Sequence, residues 1–194
     1  MTRGHEKNKE QIVNAAIALF KRKGYYDVSI NEICKEAGIG RSSFYTVFPG
    51  KREIIRFLLA AKTHDLNSVL QDFVDAKNDF ERMWCLCERD LRLAEELGPA
   101  LTSAILCMEL NEALGIYGEM DTVNDWLIPL ARNAQAAGII RCTHTAETIV
   151  PIVSDLVLQV IFNWCRCKGN FPLREKARFY TETAFDVAPE FRIT

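Results

Sequence analysis

Over most of the chain, apolar residues recur at spacings of three and four, and no long alternating run of β-branched residues interrupts them. A period near 3.6 places one apolar stripe on each helix, and such stripes are buried by packing helix on helix. The fold class predicted is therefore all-α. Ile12, Ala16, Leu19 and Phe20 form one stripe over residues 9–23, which Gly24 ends. Two short segments follow, Ile30–Ala37 and Arg41–Val47, the second closed by Pro49-Gly50. A longer helix starts near Lys51 and carries Ile54, Ile55, Leu58, Leu66, Val69, Leu70 and Phe73. Further breaks fall at Gly98-Pro99, Gly115 to Gly118, Gly138, and Gly169 to Pro172. About nine helices are expected.

The net charge of −2 conceals a division. Residues 1–60 hold 11 Lys and Arg against 6 Asp and Glu, a balance of +5, whereas residues 61–194 hold 13 against 20, a balance of −7. A basic head on an acidic body implies that the head meets a polyanion. The most apolar stretch, Ile149 to Cys165, contains Ser154, Asp155, Gln159 and Asn163, so it reads as a buried helix and not a membrane span. The first six residues lack the apolar centre of a signal peptide, and a cytoplasmic location is expected.

Enzyme signatures are missing: there is no P-loop, no G-x-S-x-G, no H-E-x-x-H, and no histidine placed to activate a cysteine. His144 lies two residues from Cys142 in an expected loop, a weak pairing. The chain has seven cysteines, and Cys85/Cys87 and Cys165/Cys167 are each one residue apart in helix-like sequence. Residues i and i+2 diverge by roughly 200° around a helix, so neither pair can chelate one metal without unwinding it. Neither a catalytic residue, a metal nor a cofactor is assigned. A thiol- or metal-responsive regulator is the alternative that the cysteines keep open.

The segment from Ser29 to Val47 carries the function. Ser29 and Glu32 make an S-x-x-E capping box: the hydroxyl takes an N3 amide while the carboxylate reaches back to the cap. Gly38 supplies the left-handed turn between the two short helices, which have the dimensions of a helix-turn-helix. Ile33, Ala37, Ile39, Phe44 and Val47 can form their shared core, with Cys34 small enough to allow close approach. That leaves Arg41, Ser42, Ser43, Tyr45 and Thr46 on the outer face. All are hydrogen-bond donors short enough for a major groove, and Arg41 suits guanine.

From Ile12 to Ile54 the pattern I-x2-A-A-x2-L-F-x3-G-Y, S-I-N-E-I-x3-A-G-I, S-S-F-Y-x2-F-x-G-K-x-E-I resembles the N-terminal domain of TetR-family regulators. The resemblance implies a DNA-binding domain at residues 1–52 and an effector-binding and dimerisation domain at residues 53–194. It implies that Ser29 binds a phosphate, that Arg41, Ser42 and Ser43 face base edges, and that Tyr45 meets the DNA backbone. It also implies that Lys51 pairs with a phosphate through its ammonium and the amides of the helix it opens. Gly40 lets the backbone pass close to DNA, and Asn31 and Thr46 complete the set. Asn31 stands where some members have a base-reading arginine, and Val47 where many have a polar or aromatic contact. Arg3, Lys7 and Lys9 are read as a mobile charged tail.

Two body functions are expected from the same resemblance. The last two long segments should pair with those of a second copy: Ile149, Ile152, Val153, Leu156, Val160, Ile161 and Trp164 form one apolar face, joined by Phe179, Thr183 and Phe185. A homodimer would present two heads about 34–36 Å apart to a pseudo-palindromic operator in double-stranded DNA. Residues 51–138 should enclose a cavity for a small aromatic or amphipathic effector, with Pro129 kinking a helix beside it. Trp84, Cys87, Met108, Asn111, Tyr117, Trp126 and Phe162 are its candidate contacts, and Glu109 a further polar group. The predicted function is a ligand-responsive regulator, most simply a repressor.

Overall fold

A computed structural model describes residues 3–63, 67–112 and 120–193. Among them are ten α-helices: α1 (Arg3–Lys23), α2 (Ile30–Ala37), α3 (Arg41–Val47), α4 (Lys51–Thr63), α5 (Asn67–Asp75), α6 (Asp79–Leu97), α7 (Pro99–Glu112), α8 (Met120–Ala136), α9 (Ala146–Arg166) and α10 (Leu173–Ala184). The count exceeds nine because the described residues of the segment anticipated as one helix through Phe73 fall in two elements, α4 and α5. Leu66, Tyr117 and the glycines at 115 and 118 lie outside the described residues. The expected charged tail is instead the first two turns of α1, which begins at Arg3. The Lys9 ammonium sits 3.8 Å from the centroid of Phe57.

The helices gather into two compact units. The first comprises Met1–His64 with Ala100–Leu114, and the second Asp65–Pro99 with Gly115–Thr194. The head anticipated at residues 1–52 thus shares its unit with the rest of α4 and with α7. Ile54, Ile55 and Leu58 explain the place of α4, since these apolar side chains are buried in the α1–α4 packing.

Within the first unit, α1 packs on α2, α3 and α4. Ile12, Ala16, Leu19 and Phe20 are buried with Val28, Ile33, Phe44 and Phe48. Gly24 takes φ 89° and returns its amide to the Phe20 carbonyl, which closes α1.

In the second unit α6, α8, α9 and α10 pack around Phe80, Met83, Leu127, Ala131, Ile149, Val150, Val153, Phe185 and Val187. Arg178 of α10 is buried, with Nη1 and Nη2 2.9 and 2.5 Å from the two Glu81 carboxylate oxygens of α6. Its Nε lies 2.5 Å from Glu182, itself buried, and its guanidinium rests over the rings of Phe80 (4.7 Å) and Trp84 (5.1 Å). An isolated bridge between Ile140 and Val187 ties the chain beyond α10 back to the end of α8.

Two expectations for this unit change. The broad apolar face of α9 is largely buried in its own unit: Ile149, Val153, Val160, Ile161 and Trp164 are inside, while Ile152 stays 53% exposed. Phe185 is also core, packed edge-on to Phe80 at 6.3 Å. α9 is long and apolar enough to cross a membrane by composition alone, and its buried side chains pack within its own unit. α8 runs through Pro129 and α9 through Pro151 as single helices.

Candidate DNA interface

Local bonds position α2. The Ser29 hydroxyl accepts the Glu32 amide at 3.3 Å, while the Ser29 amide and hydroxyl donate to Glu32 Oε2 at 2.9 and 2.8 Å. Lys23 at the end of α1 donates to the other oxygen at 2.6 Å. These contacts, the Lys23 bond first and those from Ser29 after it, pull the Glu32 carboxyl down from 4.5 to about 2. The box therefore holds α2 against the end of α1 as well as capping it. Gly38 lies at φ 67°, ψ 30°, and its amide returns to the Cys34 and Lys35 carbonyls. A β-carbon there would meet nothing within 4 Å, so the glycine is needed for the backbone conformation and not for space.

α3 starts at Gly40, an extended cap without a side-chain bond. Its buried side is Phe44, with Ser43 and Val47 half-buried beside it. Arg41, Ser42, Tyr45 and Thr46 are exposed on the remainder of the helix. The Arg41 guanidinium lies 6.0 Å from the Tyr45 ring, and that ring stands edge-on to Phe44 at 5.5 Å. Thr46 donates its hydroxyl to the Ser42 carbonyl at 2.8 Å, so it faces outward as an acceptor and not as the expected donor. Asn31 is exposed in the first turn of α2.

Lys51 departs most from expectation. Its ammonium donates to the carbonyls of Tyr25 (2.7 Å), Tyr26 (3.3 Å) and Val28 (2.9 Å), and lies 4.5 Å from the centroid of Tyr25. The group anticipated at a phosphate is turned into the α1–α2 loop. The sequence carried one signal of this, because a cation on the first residue of a helix opposes the helix dipole and calls for negative partners elsewhere.

The effector candidates separate. Met108 and Asn111 of α7 line a cleft of about 590 Å³ in the first unit, shared with Tyr25, Tyr26, Pro49 and Gly50 and with Lys51, Arg52 and Glu53. Sequence reasoning missed those loop residues, since the cleft joins positions more than fifty residues apart. Asn111 donates to the Cys107 carbonyl at 2.7 Å, and Glu109 is buried on the same helix. Trp84 is buried against Arg178, and Cys87 packs on the core of the second unit, where burial pushes its thiol up to about 12. Trp84 is buried in that unit, and Cys87 is partly buried at the edge of its core. Trp126 and Phe162 are 61% and 50% exposed, so neither walls an enclosed cavity within its unit. Tyr117 lies outside the described residues.

The family model of the bacterial regulatory proteins of the tetR family matches residues 12–57, which span α2, the turn, α3 and the start of α4. The HTH-type transcriptional regulator SrpR of Pseudomonas putida is 33% identical over 171 residues, covering 85% of this chain and 78% of that protein. The chain belongs to the TetR family. As a TetR-family member it is a DNA-binding transcriptional regulator. A shorter likeness to LmrA of Bacillus subtilis is 44% identical over 46 residues, 24% of each chain. Among solved TetR-like folds, a transcriptional regulator from Saccharomonospora viridis in complex with choline has a TM-score of 0.69 at 19% identity, covering 90% of this chain and 95% of that one. Thermus thermophilus FadR, a repressor in complex with lauroyl-CoA, has a TM-score of 0.59 at 19% identity over 91% and 92%. At such identities these two bear on the fold alone.

Proposed function

We propose that this TetR-family protein is a cytoplasmic repressor without catalytic activity, binding a pseudo-palindromic operator as a homodimer and released by a small aromatic or amphipathic molecule. Arg41, Ser42 and Ser43 read base edges, while Ser29, Asn31, Gly40, Tyr45 and Thr46 meet the backbone or its margin. The observation that carries the ligand response is the cleft beside the head. Its walls include both loops that flank the helix-turn-helix, and α7 supplies Met108 and Asn111. A molecule seated on Tyr25, Tyr26 and Met108 touches the segments that set the angle of α2 and α3. Ligand-bound relatives of the same fold agree with this reading: the T. thermophilus repressor is complexed with an acyl-CoA and the S. viridis regulator with choline.

Dimerisation is supported by large apolar side chains that the single chain leaves half or more exposed on α9 and α10: Ile152 at 53%, Phe162 at 50% and Phe179 at 52%. The thiol-responsive alternative gains nothing from Cys34, Cys85 and Cys87, whose thiols burial pushes up and so away from the reactive thiolate.

Selection of bound duplexes from a random pool gives the half-site and its spacing, and operator affinity is then measured with and without each compound that binds. Coupling of about 1–3 kcal/mol is expected, roughly a 5- to 150-fold loss of affinity. Equal affinities with every bound compound discard the switch.

A further inference from the structure

We propose that Tyr45 is a positioning residue for sequence recognition: its ring carries the Arg41 guanidinium and holds it to one base pair, a role separate from any bond its hydroxyl makes to the DNA backbone. The inference rests on the reading of Arg41 as a base contact and on no part of the effector reading. Arg41 opens α3 and Tyr45 follows four residues on, so the two lie one turn apart on the exposed side of the helix. A helical side chain leans towards the N-terminus of its helix, which brings the ring at position 45 back over the turn at position 41. The guanidinium carbon is 6.0 Å from the ring centroid, a separation at which a ring face still attracts a cation.

The platform is itself anchored. Tyr45 is 47% exposed, and its ring stands edge-on to the buried Phe44, with 5.5 Å between centroids and 84° between planes. From Phe44 the rings continue to Phe48 at 6.4 Å and on to Phe57 of α4 at 6.0 Å. The exposed side of α3 thus carries one aromatic surface tied to the core, and it lies beside the one arginine of that helix. The chemistry suits a ring better than a carboxylate. Arg178 gives its N–H groups to Glu81 and Glu182. A ring face attracts the cation without occupying the donors in its plane, so the fork stays available to the two acceptors on a guanine edge. An arginine free to swing can donate to a phosphate or a neighbouring base at a mismatched site, and so recover part of what the mismatch costs. Held on Tyr45 it loses that escape, and it has less rotamer freedom to give up at the correct base.

Variants separate the ring from the hydroxyl. Each is measured on a duplex selected by the wild-type protein and on the same duplex changed at the base pair where Arg41→Ala relaxes the preference. The ratio of the two affinities is the quantity read. Tyr45→Phe keeps the ring and removes the hydroxyl, and it should keep the wild-type ratio even where both affinities fall together. Tyr45→Leu keeps an apolar contact for Phe44 and removes the ring, and the ratio should fall roughly 2- to 5-fold. With Arg41→Ala already present, Tyr45→Leu should leave the ratio where Arg41→Ala put it. A wild-type ratio in Tyr45→Leu overturns the proposal. A ratio that falls as far in Tyr45→Phe as in Tyr45→Leu overturns it in favour of the hydroxyl. A further fall in the Arg41→Ala background overturns it too, since the ring then acts apart from the arginine. Should Arg41→Ala alter no base preference, the reading of Arg41 fails with Tyr45 untouched, and the proposal falls with it. Should Tyr45→Leu fail to fold, the wild-type protein still decides: nuclear Overhauser contacts between the Arg41 side chain and the Tyr45 ring persist on adding the selected duplex if the ring carries the arginine, and vanish if the arginine leaves it.

Discussion

Ser29 and Glu32 show how much a few atoms settle in this protein. Removing the hydroxyl in Ser29→Ala takes away the acceptor of an orphan amide, and about 1 kcal/mol of stability should be lost in urea unfolding. The partner has a pH signature. Glu32 holds its proton less tightly in the fold, near 2, than in the unfolded chain, near 4.5. As pH falls the unfolded chain takes the proton first. The contribution of Glu32 is therefore complete above about 4.5 and is lost as pH falls towards 2. The difference in thermal midpoint between wild type and Glu32→Gln should be constant at neutral pH and shrink through that window. A difference that does not change between neutral and acid would show that the carboxylate has no role in the fold. On the recognition face, Arg41→Ala should cost about 1–3 kcal/mol of operator affinity and relax the preference at one base pair, read by repeating the selection with the variant. Uniform weakening across all sequences would mark Arg41 as a phosphate contact instead.

Among the helices, the decisive join is that of α10 to α6. Arg178 holds Glu81 and Glu182 from a buried position, with Phe80 and Trp84 stacked on its guanidinium. Breaking such a buried pair by removing one partner leaves a charge without compensation, so Arg178→Met should destabilise by about 3–5 kcal/mol in chemical denaturation. The double variant Arg178→Met with Glu182→Gln should recover part of that loss, because the buried carboxylate goes with its partner. No recovery would mean that Glu182 is sustained by other contacts. The same join gives Trp84, expected as a ligand contact, a partner within the core of its unit. An aromatic on a helix near other aromatics looks alike in sequence whether it faces a cavity or an arginine 94 residues further along.

At the scale of the molecule, the division of charge gives the head its affinity for a polyanion, and dimerisation would multiply it. Two heads on one duplex gain about 10²–10⁴ over a single head, so a dimer-breaking variant should lose affinity on that order. Phe179 is a suitable target, since it is 52% exposed and is not among the side chains of the cluster around Phe80 and Phe185. Phe179→Glu should sediment as a single chain and keep its melting temperature while operator binding collapses. A variant that still sediments as a dimer would move the interface away from this face of α10.

The all-α class, the bounds of α2 and α3, the capping box and the Gly38 turn were determined by the sequence alone. Each rests on partners within four residues, such as Ser29 with Glu32 and Gly38 with Cys34 and Lys35, so the interaction is written in the local order of residues. The tertiary structure decided the rest. Lys51 bonds carbonyls more than twenty positions away, Met108 and Asn111 share a cleft with residues 25–53, Phe185 turns inward and Trp126 outward. These outcomes depend on which face of a helix its neighbours cover. Periodicity defines a stripe on a helix, but only the packed neighbours choose what that stripe meets.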